Sequence, residues 1–226
     1  MFAIAVLVVS YLLTRDAKTR GINPDLINDI SFWLVISGII GARIFYIILY
    51  LPYFLQSPSE IVMIHHGGLA WQGGLILGCL MGVWLIKKNK LSLRTMLDLF
   101  APYIALGEAI GRIGCFLNGC CYGKEVSWGI YFPVHDARLH PTQLYTFAGL
   151  LLAFFLLKKF QKNNFGSGKV FVLYLILASS LRFVVEFFRA DHDILLWGLS
   201  IYQLMSLAII ASAIYVQTRL KSHAGK

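Results

Sequence analysis

Charged side chains are scarce in this chain. Asp, Glu, Lys and Arg make up 14% of its 226 residues, where soluble domains carry about a quarter. With 58% of positions hydrophobic and a mean hydropathy of +0.71, too little polar surface remains to cover a water-soluble core of this length. That excludes a soluble globular domain. Cysteine is scarce as well: Cys79, Cys115, Cys120 and Cys121 are too few and too clustered for a disulfide-stapled fold. No charged segment precedes the first apolar run and no small-residue cleavage site follows it, which argues against a cleavable signal peptide. Internal repeats and low-complexity stretches are lacking too. What is left is an all-α polytopic membrane bundle with short loops, read as a single domain over residues 1–226.

Seven apolar runs are present, roughly 2–14, 30–51, 67–86, 95–117, 141–157, 170–188 and 194–216. A span needs about 20 apolar residues, and only helices or closed barrels satisfy their backbone in lipid. Most of the runs fit, and the first is short. The net charge of +9 would suggest nucleic acid in a soluble protein, but here its distribution matters more. Arg15, Lys18, Arg20, Lys87, Lys88, Lys90, Arg94, Lys158, Lys159, Lys162, Lys169, Arg219, Lys221 and Lys226 all follow runs 1, 3, 5 or 7, whereas the other side has Lys124, Arg138 and Arg189. The positive-inside rule then places the N-terminus outside and the C-terminus in the cytoplasm. An odd number of spans agrees with that orientation. The partner of this basic charge is membrane lipid, and no nucleic acid is expected.

Arg43, Arg112, Arg182, Asp98, Glu108 and Glu186 fall inside apolar runs. A charge at mid-bilayer costs about 2.5–3.5 kcal/mol on insertion scales, so such residues are kept when they pair or face an aqueous cavity. Glu108 and Arg112, like Arg182 and Glu186, are four apart and share a helix face. They can be structural ion pairs or parts of a site. In run 3, Gly74, Gly78 and Gly82 form a small-xxx-small seam suited to close helix packing.

On the outer side of this topology the unusual residues gather: HHGGLAWQGG at 65–74, GEAIGRIGCFLNGCCYGK at 107–124, RLHPTQLY at 138–145 and RFVVEFFRADH at 182–192. Clustered guanidinium groups suit an anion because they bind phosphate oxygens bidentately and stay protonated. In a membrane the abundant anion is a phospholipid headgroup. The neighbouring glycines let backbone approach such a ligand.

The GAR at 41–43 and the pieces GGLAWQGG, GRIGCFLNGCCYG, HPTQLY and RFVVEFFR, in this order, resemble the prolipoprotein diacylglyceryl transferase family over most of the chain. The resemblance implies seven helices in the bacterial inner membrane and an outward-facing site. It implies transfer of the diacylglyceryl group of phosphatidylglycerol to the lipobox cysteine of a preprolipoprotein. The products would be a thioether-linked precursor and glycerol phosphate, with neither a metal nor any other cofactor. Residue by residue, it assigns Arg112 to the phosphate of phosphatidylglycerol, with Asn118, Gly119 and Gly123 completing that signature. Arg182, Glu186 and Arg189 match the arginine–glutamate–arginine face of helix 6. Arg43 matches the GAR arginine, and His140, Gln143 and Tyr145 match the HPxQLY segment. The sequence departs from the family pattern at Gln72, where the HGGL histidine stands, at Cys115 and Cys120, which replace Asn and Glu, and at Thr146, where Glu is common. These changes mark a divergent branch and fall on the acceptor side.

The chemistry so implied is an alkyl displacement by a thiolate. A thiol with a pKa near 8.5 is only a few per cent ionised at neutral pH, so a base or local positive charge helps. Arg112 and Arg182 are expected to stabilise charge on the leaving phosphate, with Glu186 orienting Arg182. His65, His66 and His140 are candidate proton acceptors in place of the missing histidine, and Gln72 is expected among the substrate contacts. Cys115, Cys120 and Cys121 are open to three readings: small packing residues, an oxidised pair, or thiolate ligands joining a histidine on a metal. Two other functions compete with the transferase: a related enzyme with another acceptor, and a lipid-binding or transport protein. The lack of an inverted repeat and the gathering of ionisable groups at one end weigh against the last.

Overall fold

The computed structural model of the chain describes residues 1–190, 194–196 and 198–224, with the side chains of His65, 194–196 and 221–224 outside the description. Among the described residues there are seven long helices: α1 (Phe2–Thr19), α2 (Pro24–Leu49), α4 (Trp71–Lys88), α5 (Leu93–Leu117), α6 (Thr142–Asn164), α7 (Lys169–Glu186) and α8 (Ile201–Ala224). A short helix, α3 (Leu51–Gln56), and two 3-10 turns at 58–61 and 64–66 lie between α2 and α4. Four helices are long and apolar enough to cross a membrane by length and composition: α2, α5, α6 and, over Ile201–Leu220, α8. The chain is mostly helical but not all-α. Two antiparallel ribbons are present: β1 (Glu125–Phe132) with β2 (Ala137–Leu139) fills the connection between the fourth and fifth runs, and β3 (Ile194–Leu196) with β4 (Leu199–Ser200) takes the start of the seventh.

Helix ends follow capping chemistry rather than the edges of apolar runs. Asn23 accepts a hydrogen bond from the Asp25 backbone N–H (3.0 Å) and Pro24 occupies the first turn, so α2 begins six residues ahead of its apolar run. The seventh run, expected from Ile194, becomes helical only at Ile201. Ser200 and Gln203 form a reciprocal capping box there: Ser200 Oγ accepts the Gln203 N–H (3.3 Å) and Gln203 Oε1 accepts the Ser200 N–H (2.9 Å).

Chain contacts divide into two compact units, Thr14–Leu93 and Met1–Leu13 with Arg94–Lys226. In the first, α2 lies against α4 with glycine facing glycine. A Cβ at Gly41 would strike the Gly73 carbonyl, and one at Gly73 would strike that of Gly41. The seam is therefore centred on Gly73 rather than on Gly78 and Gly82, and it allows helix axes to close to backbone contact.

In the second unit Ala101, Ala105, Leu157, Val170 and Tyr174 form a buried core shared by α5, α6 and α7. Asp98, fully buried on α5, accepts from the backbone N–H groups of Gly168 (2.8 Å) and Phe171 (3.0 Å). It caps the start of α7 from a neighbouring helix, satisfying orphan donors at the positive end of that helix dipole. One of the six charges within apolar runs thus has a structural role.

Candidate active site

The GRIGCFLNGCCYG segment closes α5 and folds back on itself. Cys120 N–H donates to the Cys115 carbonyl (3.1 Å) and Gly119 N–H to that of Phe116 (3.1 Å), while Gly119 has φ +69°. This is a Schellman motif, in which a left-handed glycine stops the helix. Arg112 lies in the last two turns before it, half-buried. Asn118 is exposed at the turn itself.

Beyond the turn, Gly123 is the crossing point of three segments. Its N–H donates to the His140 carbonyl (2.9 Å), Lys124 N–H donates to that of Phe188 (2.8 Å), and Gly123 forms an isolated bridge with Arg189. A Cβ on Gly123 would come within 2.5 Å of His140 Cβ and 2.8 Å of Thr142 Cγ2. No side chain fits, and this close approach ties the end of α7 to the starts of α6 and β1. Thr142 Oγ1 donates to the Cys121 carbonyl (2.6 Å) and Gln143 Nε2 to the Cys120 carbonyl (2.7 Å). Gln143 was expected to contact substrate; its amide N–H instead pins the loop, while its buried Oε1 has no hydrogen-bond partner. His140 Nδ1 is 3.1 Å from Tyr145 Oη, and its ring stands among Trp128, Phe188 and Tyr145 with centroids 4.8, 5.3 and 6.0 Å away.

Glu186 is the hub of the charged residues. It is fully buried, 3.1 Å from Arg182 Nη2 and 3.8 Å from Arg189 Nε, and it accepts from Ser200 Oγ (3.1 Å). Arg182 covers the Tyr202 ring, 4.7 Å from its centroid, and feels the like charges of Arg189 and Arg112. Three arginines therefore share one electrostatic neighbourhood, with Glu186 between Arg182 and Arg189. Glu108, one turn before Arg112 and under its electrostatic influence, accepts from Tyr174 Oη (2.5 Å). Ser200, Tyr202 and Tyr174 escaped the sequence reading. Only Ser200 had a signal, as the first residue of a Ser-x-x-Gln box. An apolar groove of about 540 Å³ lies at the opposite ends of these helices, between Arg94, Phe171, Ala213 and Leu220, away from Arg112, Arg182 and Arg189.

The remaining expected site residues belong to the unit Thr14–Leu93. Arg43, anticipated as a substrate contact, is buried and its guanidinium is engaged by backbone carbonyls. Nε donates to Ile61 (3.1 Å), Nη1 to Gly67 (2.6 Å) and Gly68 (2.9 Å), and Nη2 to Glu60 and Met63. Five N–H groups meet five carbonyls, which organises the 60–68 loop rather than presenting the fork to an anion. His66 Nδ1 is 2.9 Å from Glu60 Oε2. Gln72 is exposed on the first turn of α4. The His65 side chain lies outside the described residues.

Residues 1–219 match the prolipoprotein diacylglyceryl transferase family. Curated relatives carrying the name phosphatidylglycerol–prolipoprotein diacylglyceryl transferase include a Finegoldia magna protein, 35% identical over 222 residues that span 98% of this chain and 89% of the relative. A Clostridium tetani protein is 37% identical over 225 residues (96% and 89%), and one from Bacillus mycoides is 37% identical over 233 residues (96% and 84%). With the family matched across nearly the whole chain and relatives covered over 84–89% of their length at this identity, the chain belongs to the prolipoprotein diacylglyceryl transferase family and is a membrane-embedded transferase.

Proposed function

We propose that this chain moves the diacylglyceryl group of phosphatidylglycerol onto the lipobox cysteine of a preprolipoprotein. The observation that carries the reading is the electrostatic neighbourhood of Arg112, Arg182 and Arg189 around the buried Glu186. Three guanidinium groups outnumber the two carboxylates beside them, Glu186 and Glu108, and the positive surplus suits a phosphodiester and grows in value as the leaving phosphate gains charge. Arg112 and Arg182 bind and stabilise the phosphate. Arg189 supports it, with Glu186 holding both Arg182 and Arg189 in place. Asn118, Gly119 and Gly123 line the approach, with Gln143 and Tyr145 behind them.

In the reaction the acceptor thiolate attacks the glycerol carbon, the S–C bond forms as the C–O bond to the phosphate-bearing glycerol breaks, and glycerol phosphate leaves. The thiol proton needs an acceptor, and His140 has the geometry for it. With Nδ1–H donating to Tyr145 Oη, its Nε2 lone pair is free to receive that proton. His66, bonded to Glu60, and His65 are the other candidates. Arg43 takes a positioning role on the 60–68 loop, and Gln72, exposed on the first turn of α4, is a further substrate contact.

The setting is a multi-pass protein of the bacterial inner membrane, with seven spans in one transferase domain, the N-terminus outside and the C-terminus in the cytoplasm. Support comes from the basic residues after runs 1, 3, 5 and 7 and from helix lengths. α1, α4 and α7 have 18 residues each, about 27 Å against a hydrocarbon core of about 30 Å. The test is incubation with phosphatidylglycerol and a lipobox peptide, scored by mass for the diacylglyceryl adduct and for released glycerol phosphate. Arg112→Ala is expected to insert normally and give no adduct. An unchanged transfer rate in that variant would overturn the phosphate role, and lipid consumption without adduct would favour another acceptor.

A further inference from the structure

The Schellman motif that ends α5 has a second consequence for its side chains. In this motif the third-last helical residue and the second residue beyond the cap are brought into contact, and here those residues are Cys115 and Cys120. Cys121 follows with φ +62°, a left-handed conformation that a non-glycine residue adopts at a cost and that often marks a functional turn. The three Sγ atoms lie within 4.8 Å of one another and all three thiols are free and half-buried. The carbonyls of Cys120 and Cys121 are held from behind by Gln143 and Thr142 at 2.7 and 2.6 Å, so the turn is braced by the start of a neighbouring helix.

We propose that Cys115, Cys120 and Cys121 form a binding site for a single thiophilic metal cation of the Cu(I) or Zn2+ class. Sulfur ligands around such an ion at about 2.3 Å stand about 3.8 Å apart, so the trio needs to contract by about 1 Å at most. Soft thiolates select these ions over harder divalent cations. Each thiol that ligates gives up its proton to solvent as the metal–sulfur bond forms. An adjacent Cys120–Cys121 disulfide would close a strained eight-membered ring, and all three thiols are free. The trio shares its turn with Asn118 and Gly119, but metal binding there does not depend on the transfer reaction.

The full-length protein in detergent, purified anaerobically under mild reduction, is titrated with Zn2+ and separately with Cu(I), each against a chromophoric chelator of that ion. One equivalent of at least one ion is expected, with affinity falling at least tenfold in Cys115→Ser, Cys120→Ser and Cys121→Ser and unchanged in Cys79→Ser. Maleimide labelling of the unaltered chain, read by peptide mass, keeps the test independent of whether those variants fold. The bound ion should protect Cys115, Cys120 and Cys121 while Cys79 still reacts. Binding of neither ion, labelling unaffected by either, or a disulfide within the trio in protein isolated without reductant would each overturn the proposal.

Discussion

Glu186 and Arg182 touch at 3.1 Å, yet the carboxylate is fully buried whereas the Arg182 side chain keeps 27% of its surface exposed. The pair is anchored on one side and open on the other. The buried partner also holds Arg189 and accepts from Ser200 Oγ (3.1 Å) at the start of α8. That asymmetry suits a guanidinium which must meet an anion from outside while its direction is fixed from within.

The first prediction concerns that carboxylate. Glu186→Gln keeps the shape and removes the charge, leaving Arg182 and Arg189 to repel without a counterion. Breaking a buried pair costs about 3–5 kcal/mol, and the exposure of Arg182 brings the expected loss to the lower end of that range. The variant should lose heat resistance in detergent and show kcat for diacylglyceryl transfer reduced at least tenfold, with KM for phosphatidylglycerol not raised. A raised KM at wild-type kcat would mean that Glu186 does not position the arginines for the departing phosphate.

A second prediction concerns the capping box. Gln203 is buried and its Oε1 accepts the Ser200 N–H at 2.9 Å. Gln203→Ala leaves that buried donor unpaired at a cost of about 1–3 kcal/mol, and Ser200 then holds Glu186 less firmly. The midpoint of thermal inactivation should fall. An unchanged midpoint would show that the start of α8 is held by its packing alone.

How much of this was legible in the sequence depended on whether the signal was local. Seven helices and the arginine–glutamate–arginine face could be read because apolar length and four-residue spacing are properties of one segment. The start of α8 was misread because Ile194, Leu195, Leu196 and Trp197 continue the apolar run, and apolarity cannot separate a ribbon from a helix over so few residues; the Ser200-x-x-Gln203 box held the missing signal. β1 does alternate, with Val126, Trp128, Ile130 and Phe132 on one parity and Glu125, Ser127, Gly129 and Tyr131 on the other, but so short a stretch between two long apolar runs reads as a connection rather than as a strand. Asp98 looked like an intramembrane charge awaiting a function because its partners, Gly168 and Phe171, are some seventy residues away. The glycine seam was recognised, but its register was not. Which glycine meets a partner depends on how α2 rests on α4, and nothing in run 3 alone specifies it.

That register gives a third prediction. A Cβ at Gly73 has no room beside the Gly41 carbonyl and Phe45 Cβ, whereas one at Gly78 would meet Leu34 O at 3.8 Å and Gly38 Cα at 4.0 Å, ordinary contacts. Gly73→Ala should therefore destabilise by about 1–3 kcal/mol through overpacking. Gly78→Ala should be neutral or stabilise by up to about 1 kcal/mol through helix propensity. Thermal aggregation of the two purified variants separates the cases. Equal sensitivity would relocate the contact.

The last prediction separates a clasp from an anion contact at Arg43. Its planar fork meets the carbonyls of Glu60, Ile61, Met63, Gly67 and Gly68 in several directions at once, and Phe54 lies beneath it, its centroid 5.3 Å from Cζ. Lysine keeps the charge but has three donors on one flexible point and no plane to stack. A residue that served only to attract phosphate would tolerate Arg43→Lys in part, while a residue that binds carbonyls by its shape would not. Arg43→Lys and Arg43→Ala should therefore behave alike, with faster hydrogen exchange and protease cleavage across 59–68. Orphaned carbonyls in that loop would cost about 1–3 kcal/mol each unless water replaced the guanidinium. A lysine variant with wild-type exchange in the loop and a graded loss of lipid affinity would return Arg43 to the set of anion contacts.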